Sequence, residues 1–272
     1  MLHRPRGTEY ERLAGLISER GGELGKPLYL LDDTTSTNEQ AKRAAKQSAP
    51  HGATWIAETQ SAGRGRQGRV WMAPRGESVL VSVLFRLTCP PSRLPPLAVV
   101  AGLAARDAIA RAVDPSEEVL LKWPNDVRIG EKKVAGVLVE SIVRAGLVEA
   151  LIVGVGINVH TRTFPEEIAS IATSVALHAS GPPDRAAIAA DRIAALDRDI
   201  PVAAARGLGS VHERISAVDA LRGREVQSDA DASKRGVSEG IDVEGRLLVR
   251  TVDGSLERWN AGEVHIAYPI DV

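Results

Sequence analysis

The sequence predicts an α+β fold: a mixed central sheet with flanking helices, followed by a small β-barrel. Three observations carry that expectation. Runs rich in β-branched residues alternate with helical segments through the first 220 or so residues. Two of those runs, 133–143 and 147–157, are largely apolar, as central strands covered on both faces should be. From Leu221 the texture changes to short β-runs broken by Gly223, Gly236, Gly240, Gly245, Gly254 and Gly262. These shifts divide the chain into an N-terminal helical extension (1–26), a main domain (27–219) and a C-terminal module (220–272).

Each element has its own signal. Thr8-Glu9-Tyr10-Glu11 reads as a capping box that opens a helix ended by Gly21-Gly22, too short for a helix-turn-helix domain. Leu28 to Leu31 reads as a strand. Thr35-Ser36-Thr37-Asn38, with Glu39 three residues after Ser36, predicts a capped helix to about Gln47. Strands are expected at 53–58 and 79–86, and an Ala-rich helix at 97–113. Further strands are expected at 118–122, 133–143 and 147–157. Pro182-Pro183 precedes a helix at 185–204, and a weaker helical stretch ends near Val218.

Composition narrows the class without naming a function. The chain has 272 residues, 34 basic against 35 acidic, and a net charge of −1, which argues against chain-wide affinity for nucleic acid or acidic membranes. Its single cysteine, Cys89, cannot form an internal disulfide, in keeping with a reducing compartment. No apolar run approaches the length of a membrane span, and no signal-peptide stretch follows residues 1–6, so a cytoplasmic location is expected. Only seven lysines stand among the basic residues, which draws attention to any that sit in apolar surroundings.

The densest motif is Gln60-Ser61-Ala62-Gly63-Arg64-Gly65-Arg66-Gln67-Gly68-Arg69-Val70-Trp71. Gly63, Gly65 and Gly68 match G-x-G-x-x-G, but Pro74 and Gly76 deny the helix that a dinucleotide site requires. Its glycines permit close backbone approach, and Arg64, Arg66 and Arg69 are strong anion donors. An anion-clamping loop is the better reading; a solvated basic loop and a single-strand nucleic-acid contact, for which only Trp71 could stack, are the rivals. Lys122-Trp123-Pro124-Asn125-Asp126 ends a strand and turns into a hairpin return bearing Lys133, Ala135 and Gly136. Lys122, Asp126 and Lys133 can converge there into a positive field suited to phosphate, or form a surface ion pair on a plain hairpin. Gly154-Val155-Gly156-Ile157-Asn158 ends the next strand. Gly156 and its neighbours would let a planar ligand lie against the backbone beside Asn158, unless they serve only a tight strand-to-loop transition.

Together and in this order, these motifs resemble the biotin protein ligase family. Ser36-Thr37-Asn38, residues 60–71, 122–126, 133–140 and 154–158 carry the resemblance, with Gly240-Ile241-Asp242, Gly245-Arg246-Leu247 and Ala261-Gly262-Glu263-Val264 near the C-terminus. The resemblance implies a catalytic domain like that of class II aminoacyl-tRNA synthetases and an SH3-like C-terminal barrel. It implies that biotin's carboxylate attacks the α-phosphate of Mg-ATP, giving biotinyl-5′-AMP, which a lysine of a biotin carboxyl carrier domain then attacks. Carried over to this chain, Ser36, Thr37, Asn38, Gln60 and Gly63 would surround the biotin ring. Arg64, Gly65, Arg66, Arg69 and Trp71 would belong to the loop over the adenylate, Arg66 being the direct anion partner. Lys133 would touch the carboxyl and α-phosphate oxygens with Gly136 beside it, and Lys122 would support it. Asp126 would orient or deprotonate the acceptor lysine or help hold Mg²⁺, and Gly156 and Asn158 would line the nucleotide side. A homodimer through the central sheet is compatible with the resemblance. Because only about 27 residues precede the first catalytic strand, no specific DNA binding is expected. Lipoate or octanoate ligation, a non-catalytic biotin- or nucleotide-binding regulator and a nucleic-acid-binding module are the alternatives.

Overall fold

The structure, a computed structural model, describes residues 8–20, 22–260 and 262–266. The expected capping box at Thr8 to Glu11 involves side chains outside the described set, as do Gly21 and Ala261. The main domain is a seven-stranded mixed sheet with helices on both faces. Its strands are β1 (Leu28–Thr34), β2 (Thr54–Gln60), β3 (Ser78–Cys89), β4 (Val119–Lys122), β5 (Asp126–Ile129), β6 (Lys132–Arg144) and β7 (Leu147–Asn158). They lie in the order β1-β2-β3-β7-β6-β5-β4, with β1 parallel to β2 and every other pair antiparallel. Apolar β3, β6 and β7 are flanked on both sides by other strands, which is where strands lacking a polar face belong.

Alternation along β3 decides which helices cover which face. Val81, Val83 and Phe85 join the main core with α1 (Thr8–Arg20), α3 (Leu94–Ala110) and α5 (Arg185–Arg206). Leu84 points the other way and packs with Ala41 and Ala45 of α2 (Thr37–Lys46). Close approach is built into α3: a Cβ at Gly102 would lie 2.6 Å from Leu121 Cδ1. Short α4 (Glu166–Ala169) and α6 (His212–Ser216) complete the domain; the helical stretch expected before Val218 is this single short turn.

The C-terminal residues form a second, antiparallel sheet of β8 (Glu225–Ser228), β9 (Arg235–Ile241), β10 (Leu247–Arg250), β11 (Leu256–Trp259) and β12 (Val264–Ile266), ordered β11-β10-β9-β8-β12. It is joined to the main sheet by main-chain bonds. Leu121 N donates to Val218 O at 2.8 Å and Ala220 N to Leu121 O at 2.9 Å, so the linker runs alongside β4. The Trp123 indole, almost wholly buried, donates from Nε1 to Gly245 O at 2.9 Å. Gly245 has φ +78° and a Cβ there would meet Pro96 Cα at 2.8 Å, so this turn accepts only glycine without a shift.

Candidate active site

The site begins at the polar N-terminus of α2. Ser36 stands at the N-cap position with extended backbone, but its side chain makes no capping bond, contrary to the expectation from sequence. Gln60, at the end of β2, substitutes for it in part: its Oε1 accepts from Thr37 N at 2.7 Å and from Thr37 Oγ1 at 3.1 Å. Ser82 Oγ lies 2.7 Å from Thr37 Oγ1 and 2.6 Å from Asn38 Oδ1. Asn38 is buried against Gly154, where a Cβ would lie 2.0 Å from its Oδ1. A side chain on residue 154 would therefore displace Asn38, and the glycine is there to admit it.

The arginine-glycine loop folds back on itself as a narrow hairpin. Trp71 N donates to Gly63 O at 2.9 Å and Gly65 N to Arg69 O at 2.8 Å, while Gln67 (φ 55°) and Gly68 (φ 75°) make the reversal. A Cβ at Gly63 would lie 2.3 Å from Trp71 O, so the hairpin requires glycine there. Its three arginines leave in three directions. Arg64 Nη1 donates to Glu39 Oε2 at 3.1 Å, and its Nη2 lies 3.6 Å from Glu140 Oε1. Arg66 Nη1 donates to Asn125 Oδ1 at 3.0 Å, within the turn after β4. Arg69 pairs with Glu263 and lies 3.9 Å from Asp229, both in the C-terminal module. Arg69, expected over a ligand, is thus a bridge between the loop and the second sheet.

The β4–β5 turn and β6 bring the expected charges together. Lys133 Nζ meets Asp126 Oδ1 at 2.7 Å and stands 5.8 Å from the centre of the Trp71 ring. Lys122 is the register partner of Asp126. Burial pushes the Lys122 ammonium below its ordinary pKa, with Arg128 adding to the effect and Asp126 and Asp229 opposing it. Asn125 is held from both sides, since its Nδ2 donates to Val137 O at 2.7 Å. Gly136 and Gly156 are register partners on β6 and β7, and the Trp71 indole lies against both. A Cβ at Gly156 would approach Trp71 Cε2 to 2.3 Å. Where these glycines leave room beside the backbone, the protein's own indole lies, with Nε1 buried and lacking a hydrogen-bond partner among the described residues. Asn158 is buried at the end of β7 and donates from Nδ2 to Thr173 O at 3.0 Å.

Convergence therefore holds for Arg66, Lys122, Asp126, Lys133, Trp71, Gly136 and Gly156, with Thr37, Asn38 and Gln60 forming a polar floor beside them. Sequence reasoning assigned no role to Asn125, Ser82, Glu140, Asp229 or Glu263. Asn125 sat inside a motif already singled out; Ser82 is the one hydroxyl within an otherwise apolar stretch of β3. The two C-terminal carboxylates are more than 150 residues from the loop they meet, and no local pattern reveals such a partner.

Among the described residues no group of three or more His, Cys, Asp or Glu could hold a metal ion. No described helix is long and apolar enough to cross a membrane.

Cations and small residues gather on a mixed sheet beside an arginine-rich loop, an arrangement suited to binding anionic groups. Residues 30–158 match the model of the biotin/lipoate A/B protein ligase family, and residues 223–266 match the biotin protein ligase C-terminal domain. The chain is 33% identical over 269 residues to the biotin–[acetyl-CoA-carboxylase] ligase of Mycobacterium tuberculosis, covering 94% of this chain and 98% of that protein. It is 30% identical to the bifunctional ligase/repressor BirA of Bacillus subtilis, covering 93% of this chain and 78% of that protein. The Aquifex aeolicus biotin protein ligase, solved with biotin and ATP, superposes with a TM-score of 0.74 at 27% identity, covering 88% of this chain and 98% of that one. The chain belongs to the biotin protein ligase family.

Proposed function

We propose that this enzyme joins biotin to ATP as biotinyl-5′-AMP and then transfers the biotinyl group to a lysine of a biotin carboxyl carrier domain. In the first step a carboxylate oxygen of biotin attacks the α-phosphorus and pyrophosphate leaves. In the second, the acceptor amine attacks the acyl carbon, loses a proton, and AMP leaves. The observation that carries this reading is the convergence of Arg66, Lys133 and Asp126 beside the Gly136–Gly156 ledge.

Lys133 would meet the carboxyl and α-phosphate oxygens, where negative charge builds in both steps. Arg66, pre-aimed by Asn125, would close over the phosphate, and Lys122 would add field from behind. Asp126, at the start of β5, can leave Lys133 to the phosphate and accept a proton from the acceptor amine. Thr37, Asn38 and Gln60 would supply polar contacts for a ureido ring, which a dithiolane ring would not use; a polar floor of this kind favours biotin over lipoate. Mg²⁺ bound with ATP would supply charge to neutralise the departing pyrophosphate, and Asp126 could help hold it. The C-terminal sheet, for which we propose SH3-like closure, would steady the loop through Arg69 and face the carrier domain. We propose domain limits of 27–219 and 220–272.

The test is incorporation of labelled biotin into a biotin carrier domain with ATP and Mg²⁺, beside pyrophosphate release with biotin and with lipoate. Biotin-dependent pyrophosphate release and labelled carrier are expected; release with lipoate alone would overturn the assignment.

A further inference from the structure

Glu140, on β6, is a carboxylate at which three parts of the site meet. Its side chain is only 13% exposed. Oε2 accepts from Asn38 Nδ2 at 3.1 Å; Oε1 accepts from Lys42 Nζ at 2.9 Å and lies 3.6 Å from Arg64 Nη2. Burial works to raise its pKa, but the hydrogen bonds from Lys42 and Asn38, with Arg64 nearby, outweigh burial and keep the carboxyl ionised below the usual carboxylate range.

A carboxylate only accepts, so it dictates which way Asn38 faces. With Nδ2 turned to Glu140 and to Leu138 O (3.3 Å), Oδ1 is left to Ser82 Oγ. An amide at 140 would offer its oxygen to Lys42 and Arg64 and its NH₂ to Asn38. Asn38 would then have to flip and set Oδ1 against Leu138 O. Meanwhile Arg64, the first arginine of the loop, would keep only the exposed Glu39 as a charged partner.

We propose that Glu140 is a positioning residue for closure of the arginine-glycine loop over biotin, holding the loop through Arg64 and the polar floor through Asn38 with one carboxylate. It touches no reacting atom. The proposal rests on the biotin reading above for its ligand, and on the Arg64 and Asn38 contacts alone for the clasp.

The experiment compares wild type, Glu140→Gln, Glu140→Asp and Arg64→Gln in two assays. The first is trypsin cleavage after Arg66 or Arg69, sites that every variant keeps, without ligand. The second is the KM for biotin against kcat, with dissociation of biotinyl-AMP from the enzyme. Faster nicking is expected in Glu140→Gln and Arg64→Gln, with KM for biotin raised about tenfold, the loss of one charged hydrogen bond, and kcat within about twofold. Glu140→Asp should recover part of the KM, and Glu140→Gln with Arg64→Gln should be less than additive. A purely structural role would lower melting temperature and kcat while leaving KM alone, and that outcome overturns the proposal. So does unchanged nicking in a folded Glu140→Gln protein. Should Glu140→Gln fail to fold, surface-exposed Arg64→Gln decides: unchanged nicking and KM there refute the clasp. Faster nicking in the variants, with a wild type that has no affinity for biotin, would instead refute the biotin reading and leave the clasp standing.

Discussion

Arg66, Lys133 and Lys122 are three cations with three different ties, and their variants should separate accordingly. Arg66 is held by a neutral amide, Asn125, which competes weakly with a phosphate. Arg66→Ala should therefore speed escape of biotinyl-AMP; an unchanged off-rate in a stopped-flow chase would refute its clamping role. Lys133→Ala should lower the rate of pyrophosphate release on the order of a hundredfold or more, the usual cost of losing one pre-aimed group at developing charge. Full ligation activity would remove Lys133 from the mechanism. Lys122 gives a pH signature. Its folded-state pKa is lowered by burial, so its penalty on folding is present below that pKa and eases as pH rises through it. An anion bound beside Lys122 favours the ammonium, so affinity for the adenylate should fall as pH climbs from the lowered value toward that of an ordinary lysine. Lys122→Met should flatten that alkaline limb in calorimetric titrations. These residues were legible in the sequence because scarce lysines and clustered arginines stood beside turns. Arg69 was not: its type was right, but the carboxylates that claim it come from the other end of the chain.

At the scale of elements, β-branched and apolar runs located the long strands of the main sheet, since burial on two faces leaves little freedom in composition. The ends of elements were less legible. Ser36 has the right residue type for a cap, yet Gln60 reaches across from β2 to take the Thr37 amide, a tertiary bond that no local motif contains. Arg192 is a sharper case. Ile188, Ile193 and Leu196 line the buried face of α5, and Arg192 lies with them, fully buried. Its Nη2 reaches Val153 O at 3.4 Å, while Nε and Nη1 have no partner among the described residues. Burial without a counter-charge pushes the guanidinium down to about 9. A long apolar side chain fills the same space without that cost, so Arg192→Met should stabilise the protein by about 1–4 kcal/mol and raise its melting temperature. A lower melting temperature would mean that the buried charge is compensated by a partner not apparent in its surroundings.

Across the whole molecule, two sheets are coupled through a few named contacts: Trp123 with Gly245, Arg69 with Glu263, and the linker with β4. The change in texture near residue 221 made the second module legible, but nothing in its sequence announced that it grips the loop. Reversing one charge at that grip, Arg69→Glu, should loosen the loop and slow ligation more than it harms folding. Adding Glu263→Arg should restore part of both, measured by tryptic nicking and carrier labelling; strict additivity would show that the pair is not a functional contact. The linker has an effect of another kind. An exposed edge strand invites pairing with a neighbouring molecule, and Leu121 of β4 has already spent its outward amide and carbonyl on Val218 and Ala220. A stray strand could lengthen the main sheet at Leu121 only by prising the linker away and loosening the C-terminal module with it. Protection from edge-to-edge aggregation on that side is thus supplied by two of the hydrogen bonds that help hold the protein's halves together.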